Sequence, residues 1–107
     1  MQGIYLKFYV TEKHKHGAVC VHEWLLERAK EIGIHGGSAF RAMAGYGRHQ
    51  RLHEDRFFEL AGDLPVEVGF VVTEDEARLL FDLIEAEGLS LFYVKVPAEF
   101  GVTGGAG

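Results

Sequence analysis

A β-α-β-β-α-β order, with two helices on one face of a four-stranded antiparallel sheet, follows from three features of this sequence. Ile4, Leu6, Phe8 and Val10 alternate with Tyr5, Lys7 and Tyr9, and Val66, Val68, Phe70 and Val72 alternate with Glu67, Gly69 and Val71. Period two with branched and aromatic residues is the pattern of half-buried strands. Apolar residues at steps of three and four after each of these runs predict one amphipathic helix per half. A third strand-like run, at Phe92, Val94 and Val96, closes the chain. Two helices that each bury one stripe can share one face of a single sheet, which is the ferredoxin-like α+β sandwich.

The elements follow in order. Thr11 to Gly17 reads as a polar loop. Ala18, Val21, Leu25, Ala29 and Ile32 share a face of the first helix, and Gly33 supplies its C-terminal cap. Ser38 to Met43 is the second strand, predicted from the overall pattern more than from its own propensity. Thr73, followed by Glu74, Asp75 and Glu76, matches a capping box, and the acids suit the positive end of the helix dipole. Ala77, Leu80, Phe81 and Ile84 form the second helix's apolar stripe, and Gly88 ends it. Pro97 is expected to stop the last strand. Residues 1–100 therefore form one domain, and the glycine-rich tail 101–107 is expected to be disordered.

The uncovered sheet face is expected to carry Tyr5, Lys7, Tyr9, Glu67, Val71, Tyr93 and Lys95. Aromatic and branched residues left bare on that face predict burial against another subunit, with Lys and Glu fixing the register. Trp24 is expected to pack at a helix edge or a subunit contact.

Bulk properties exclude several classes. With 107 residues there is room for one core. A net charge of −5 opposes nucleic acid as partner, since that binding needs a basic face. Strand three lacks the aromatic run of an RNA-recognition domain. One cysteine, Cys20, allows no internal disulfide and no multi-cysteine zinc site; it reads as a small buried hydrophobe on the first helix. No signal peptide is seen, and no apolar run approaches the ~18–20 residues that span a bilayer. A cytoplasmic protein without membrane insertion is expected.

The chemistry points to the connection between strands two and three. Such links usually hold about four to six residues; Ala44 to Leu64 is far longer. From Arg41 to His53 it holds Arg41, Arg48 and Arg51 and no acid, inside an acidic protein. Gly45 and Gly47 free the backbone to present N–H groups to an anion, and arginine's fork fits carboxylate or phosphate. Gly45, Tyr46, Gly47, Arg48, His49, Arg51, His53 and the Gly88 turn are the candidate ligand-binding residues. His49 and His53, four apart, share a face if that stretch is helical, with Glu54 or Asp55 nearby. A metal-binding module is thus the alternative, with His14 and His16 a second such pair. No catalytic residue is assigned: Ser38 and Ser90 have no nucleophile-elbow context, and no nucleophile pairs with a base. No cofactor is required, though an adenine nucleotide is a candidate ligand.

The run from Gly33 to Gly47, the following His53, and Asp63-Leu64-Pro65-Val66 resemble the domain of unknown function 190 family, a PII-like group. Tyr9 to Gly17 and Glu23 to Ala29 fit as well, and the likeness spans Ile4 to Val96. The resemblance implies a ferredoxin-like homotrimer, with clefts between subunits that often hold adenine nucleotides. It also implies that 44–64 is a loop contacting a partner protein, whose identity the family does not supply. The turn Glu87-Gly88-Leu89-Ser90 would form the other cleft wall. PII proteins hold phosphates there with basic residues, and this turn has none. That departure points away from a triphosphate and towards a monophosphate or another small anion.

Overall fold

A computed structural model describes residues 1–45 and 64–104. The main sheet has four strands in the order β4-β5-β1-β6, every neighbouring pair antiparallel. Its strands are β1 (Gln2–Thr11), β4 (Gly37–Arg41), β5 (Pro65–Val72) and β6 (Phe92–Glu99). Helices α1 (Val21–Glu31) and α2 (Glu74–Ala86) pack on one side of it. This is the expected ferredoxin-like α+β architecture. Among the described residues no helix is long and apolar enough to cross a membrane.

The core lies between sheet and helices. Ile4, Leu6, Phe8 and Val10 of β1 pair with Val72, Phe70, Val68 and Val66 of β5, and all eight are buried. Val21, Trp24, Leu25 and Ala29 of α1 and Ala77, Leu80 and Ile84 of α2 close over them. Each fully buried Leu, Val or Phe contributes roughly 1.5–3 kcal/mol relative to exposure. The capping box forms as the sequence predicts. Glu76 N–H donates to Thr73 Oγ1 at 3.2 Å, and Thr73 N–H donates to Glu76 Oε1 at 2.9 Å.

Four local expectations are corrected. First, Ala18 is not in the helix and lies in a turn. Residues 15–20 form a small hairpin of β2 (Lys15–His16) and β3 (Val19–Cys20), turned by Gly17 at φ 67°. Cys20 is consequently the half-buried N-cap residue of α1, neither helical nor buried. Second, β4 ends at Arg41, before Ala42 and Met43. Third, β6 continues through Pro97, which pairs with Ile4. An edge strand tolerates proline where its missing N–H would face solvent.

Fourth, the phase of β6 is the reverse of the expected one. Phe8 pairs with Tyr93 and Leu6 with Lys95, so Tyr93 and Lys95 share the helix-covered face. Phe92, Val94 and Val96 pair with Tyr9, Lys7 and Tyr5 on the open face. Both rows of β6 carry apolar groups, so alternation alone does not set its phase. The Tyr93 ring decides it by packing edge-on against Phe81, 4.8 Å between centroids.

Candidate functional site

The antiparallel register brings three segments to one rim of the sheet. Thr11 ends β1 opposite Pro65, and Arg41 ends β4 opposite Val66. Tyr9 lies opposite Phe92, so β6 begins at the same rim, just after the turn that follows α2. Residues 12–20, both ends of the 42–64 connection and the 87–91 turn therefore meet there.

Residues 12–16 tie the other two segments together. Glu12 N–H donates to the Leu64 carbonyl at 3.0 Å, and the Glu12 carboxylate accepts from Arg41 at 2.6 Å. Ala42 N–H donates to the Pro65 carbonyl at 2.8 Å. Both roots of the long connection are thus clamped at the end of β1. Four residues on, His16 Nε2 sits 2.8 Å from Glu87 Oε1. The His16 ring also packs edge-on against Trp24, 5.5 Å between centroids, which holds it between α1 and the end of α2. Trp24 itself is buried. Between these two ties stand Lys13, His14 and Lys15, all exposed.

Of the sequence-predicted site residues, Gly45 and Gly88 are described. Gly45 lies at the root of the connection, where an added Cβ would stand 3.4 Å from Pro65 Cγ. Gly88 adopts φ 72° past the end of α2 and donates its N–H to the Glu85 carbonyl at 3.0 Å. This left-handed conformation suits glycine and terminates the helix. Tyr46, Gly47, Arg48, His49, Arg51 and His53 lie outside the described residues, as does the metal reading built on His49 and His53. Among the described residues no group of three or more His, Cys, Asp or Glu could hold a metal. Sequence reasoning missed Glu12, Lys13 and Lys15 as rim residues; it named His16 only within a metal-ligand pair and Glu87 only as part of a cleft wall, without their mutual contact. The run Lys13-His14-Lys15-His16, basic in an acidic protein, was the available signal.

The open sheet face is the second candidate surface. Tyr9 Oη donates to Glu67 Oε1 at 3.1 Å, and Lys7 Nζ stands 4.0 Å from the same carboxylate. Burial first, and then the hydrogen bond and negative charge of Glu67, push the Tyr9 phenol above its ordinary range. Lys7 also lies over the Tyr5 ring, 4.9 Å from its centroid. Tyr5 in turn covers Gly69, where an added Cβ would come within 2.9 Å of the ring. Around this polar centre Phe40, Val71, Phe92 and Val96 are each more than 40% exposed. A shallow cleft between α2 and β6 is lined by Glu74, Ala77, Arg78, Phe81 and Lys95. Its charges are spent on neighbours: Lys95 pairs with Glu74 at 3.6 Å and Arg78 with Asp75 at 3.1 Å.

Comparison with known proteins fits this fold. The family model DUF190, described as "Uncharacterized ACR, COG1993", matches residues 3–88. A "UPF0166 protein" of Aquifex aeolicus (strain VF5) is 32% identical over 82 residues, covering 77% of this chain and 78% of that protein. Among solved structures, CPII from Thiomonas intermedia K12, bound to ADP, AMP and acetate, superposes with a TM-score of 0.60 at 18% identity. That match covers 94% of this chain and 90% of CPII. A putative PII-like signaling protein from Thermus thermophilus gives a TM-score of 0.54 at 15% identity, covering 91% of each chain. At such identities these two structures establish the fold alone. With four-fifths of its length matched by the family model and a PII-like sandwich beneath it, this chain belongs to the DUF190 family.

Proposed function

We propose that this protein is a PII-like regulator that acts by binding rather than by turnover. It assembles as a homotrimer through the open sheet face and holds a small anionic ligand, an adenine nucleotide in our reading, at clefts between subunits. It engages a partner protein through the 44–64 connection. The observation that carries this reading is the convergence of residues 12–20, the roots of 42–64 and the 87–91 turn on one rim. A fold shared with a protein seen with ADP and AMP supports the ligand class. The apolar border of Phe40, Val71, Phe92 and Val96 supports assembly, since a patch of this kind is a usual mark of an interaction site.

Two measurements test it. Native mass spectrometry of the full chain is expected to show three subunits; a monomer under the same conditions rejects the assembly. Calorimetry with AMP, ADP and ATP is expected to show binding of at least one, weakened in Arg48→Ala/Arg51→Ala while the unfolding midpoint stays put. No heat with any of the three rejects the ligand class.

A further inference from the structure

We propose that Lys13 and Lys15, on the turn and hairpin after β1, form the phosphate-contacting edge of this rim. The inference rests on the anionic-ligand reading above and names the groups that would meet the anion.

An anion at the rim needs cations there that are not already spent. Arg41 is bound to Glu12 at 2.6 Å. The turn after α2 offers no cation, and its Glu87 is covered by His16 at 2.8 Å. Lys13 and Lys15 are exposed, and neither has an ion-pair partner among the described residues. The backbone that carries them is also held. Glu12 on one side is held by Arg41 and by the Leu64 carbonyl, and His16 on the other by Glu87 and Trp24. His14 N–H donates to the Thr11 carbonyl at 3.2 Å and its carbonyl accepts from Val21 N–H at 2.8 Å, so the backbone between the ties is bonded too. The basic run therefore bridges the root of the long connection and the turn after α2. Side chains alternate along a strand, so Lys15 points away from the body into which His16 is tucked.

The chemistry favours phosphate. Lysine ammonium groups are compact point charges on flexible stems, suited to several geometries of phosphate oxygen. Exposed ammonium groups act through screened attraction, so binding through them weakens as salt rises. A pair of them gains more from a diphosphate than from a monophosphate, and nothing from an uncharged nucleoside.

The test compares the full-length protein with Lys13→Ala/Lys15→Ala and with Lys13→Arg/Lys15→Arg. Calorimetry uses ADP, AMP and adenosine; amide NMR follows a pyrophosphate titration. ADP is expected to bind more tightly than AMP. The alanine pair should lose at least about tenfold in ADP affinity without a change for adenosine, and the arginine pair should stay within about threefold. Pyrophosphate should shift the amides of residues 12–16 in the parent but not in the alanine pair. An alanine pair that binds ADP like the parent overturns the inference and leaves the nucleotide reading standing. Pyrophosphate shifts at 12–16 without any nucleotide binding uphold the inference and reject the nucleotide. A parent that binds neither probe rejects both.

Discussion

The two faces of the central sheet are built from the same strands and solve different problems. The covered face is apolar throughout its centre: Leu6, Phe8, Val68 and Phe70 are almost wholly buried. The open face alternates with it residue by residue, yet places Lys7, Glu67 and Tyr9 in a bonded group with an apolar border. The protein's own helices complete the first surface. The second is complete only against water or another protein. The first therefore governs whether the chain folds, and the second is the face on which the proposed assembly rests.

Breaking the covered face should have the largest effect. Phe8 packs its ring against Phe70, Phe81 and Tyr93, at 6.4, 5.7 and 6.5 Å between centroids. Phe8→Ala should cost about 3–5 kcal/mol in urea unfolding, because it leaves a cavity that its neighbours cannot fill. The matching change on the open face is Val71→Asp. It should leave the secondary structure intact by circular dichroism and cost about 3 kcal/mol in association, read as a concentration-dependent shift to monomer. If Val71→Asp unfolds the chain or leaves its assembly untouched, the division of labour between the faces is wrong.

Smaller changes sharpen the comparison. Thr73→Ala removes one half of the capping box beneath the covered face and should cost about 1 kcal/mol in the same urea assay. On the open face, Tyr9 gives a pH signature. Its folded phenol ionises above the ordinary 10.0, so until the pH approaches that value it is neutral in both states. Beyond it the unfolded chain releases the proton first, and stability falls with rising pH until folded Tyr9 ionises as well. Glu67→Gln removes the charge and should bring Tyr9 down in an ultraviolet titration, and the alkaline loss should become shallower. Burial, the leading cause, remains, so the shift should shrink without vanishing.

Much of the fold was legible because its central strands alternate cleanly. Ile4 to Val10 and Val66 to Val72 have apolar groups on one row, and Thr73 with Glu76 announces α2 by chemistry alone. Legibility failed where tertiary packing chooses between equal options. Both rows of β6 are apolar enough to face inward, and the fit of Tyr93 against Phe81 makes the choice. The hairpin at 15–20 was hidden because each of its strands has two residues, too few to show a period. Within the site, glycine and arginine drew attention to the long connection. The ties that organise the rim join residues far apart in sequence: Glu12 with Arg41, and His16 with Glu87. No local pattern encodes such pairs.

The clamp of Glu12 on Arg41 and Leu64 bears on what a change of length in the connection costs. With both ends of the connection fastened to the scaffold, the chain between them closes a loop whose anchors are already set. Doubling such a loop costs only about 0.6 kcal/mol in closure entropy. A change in the number of residues between Gly45 and Leu64 should therefore cost the sandwich little stability. The clamp acts as a socket: it grips the two ends, whatever length of chain joins them.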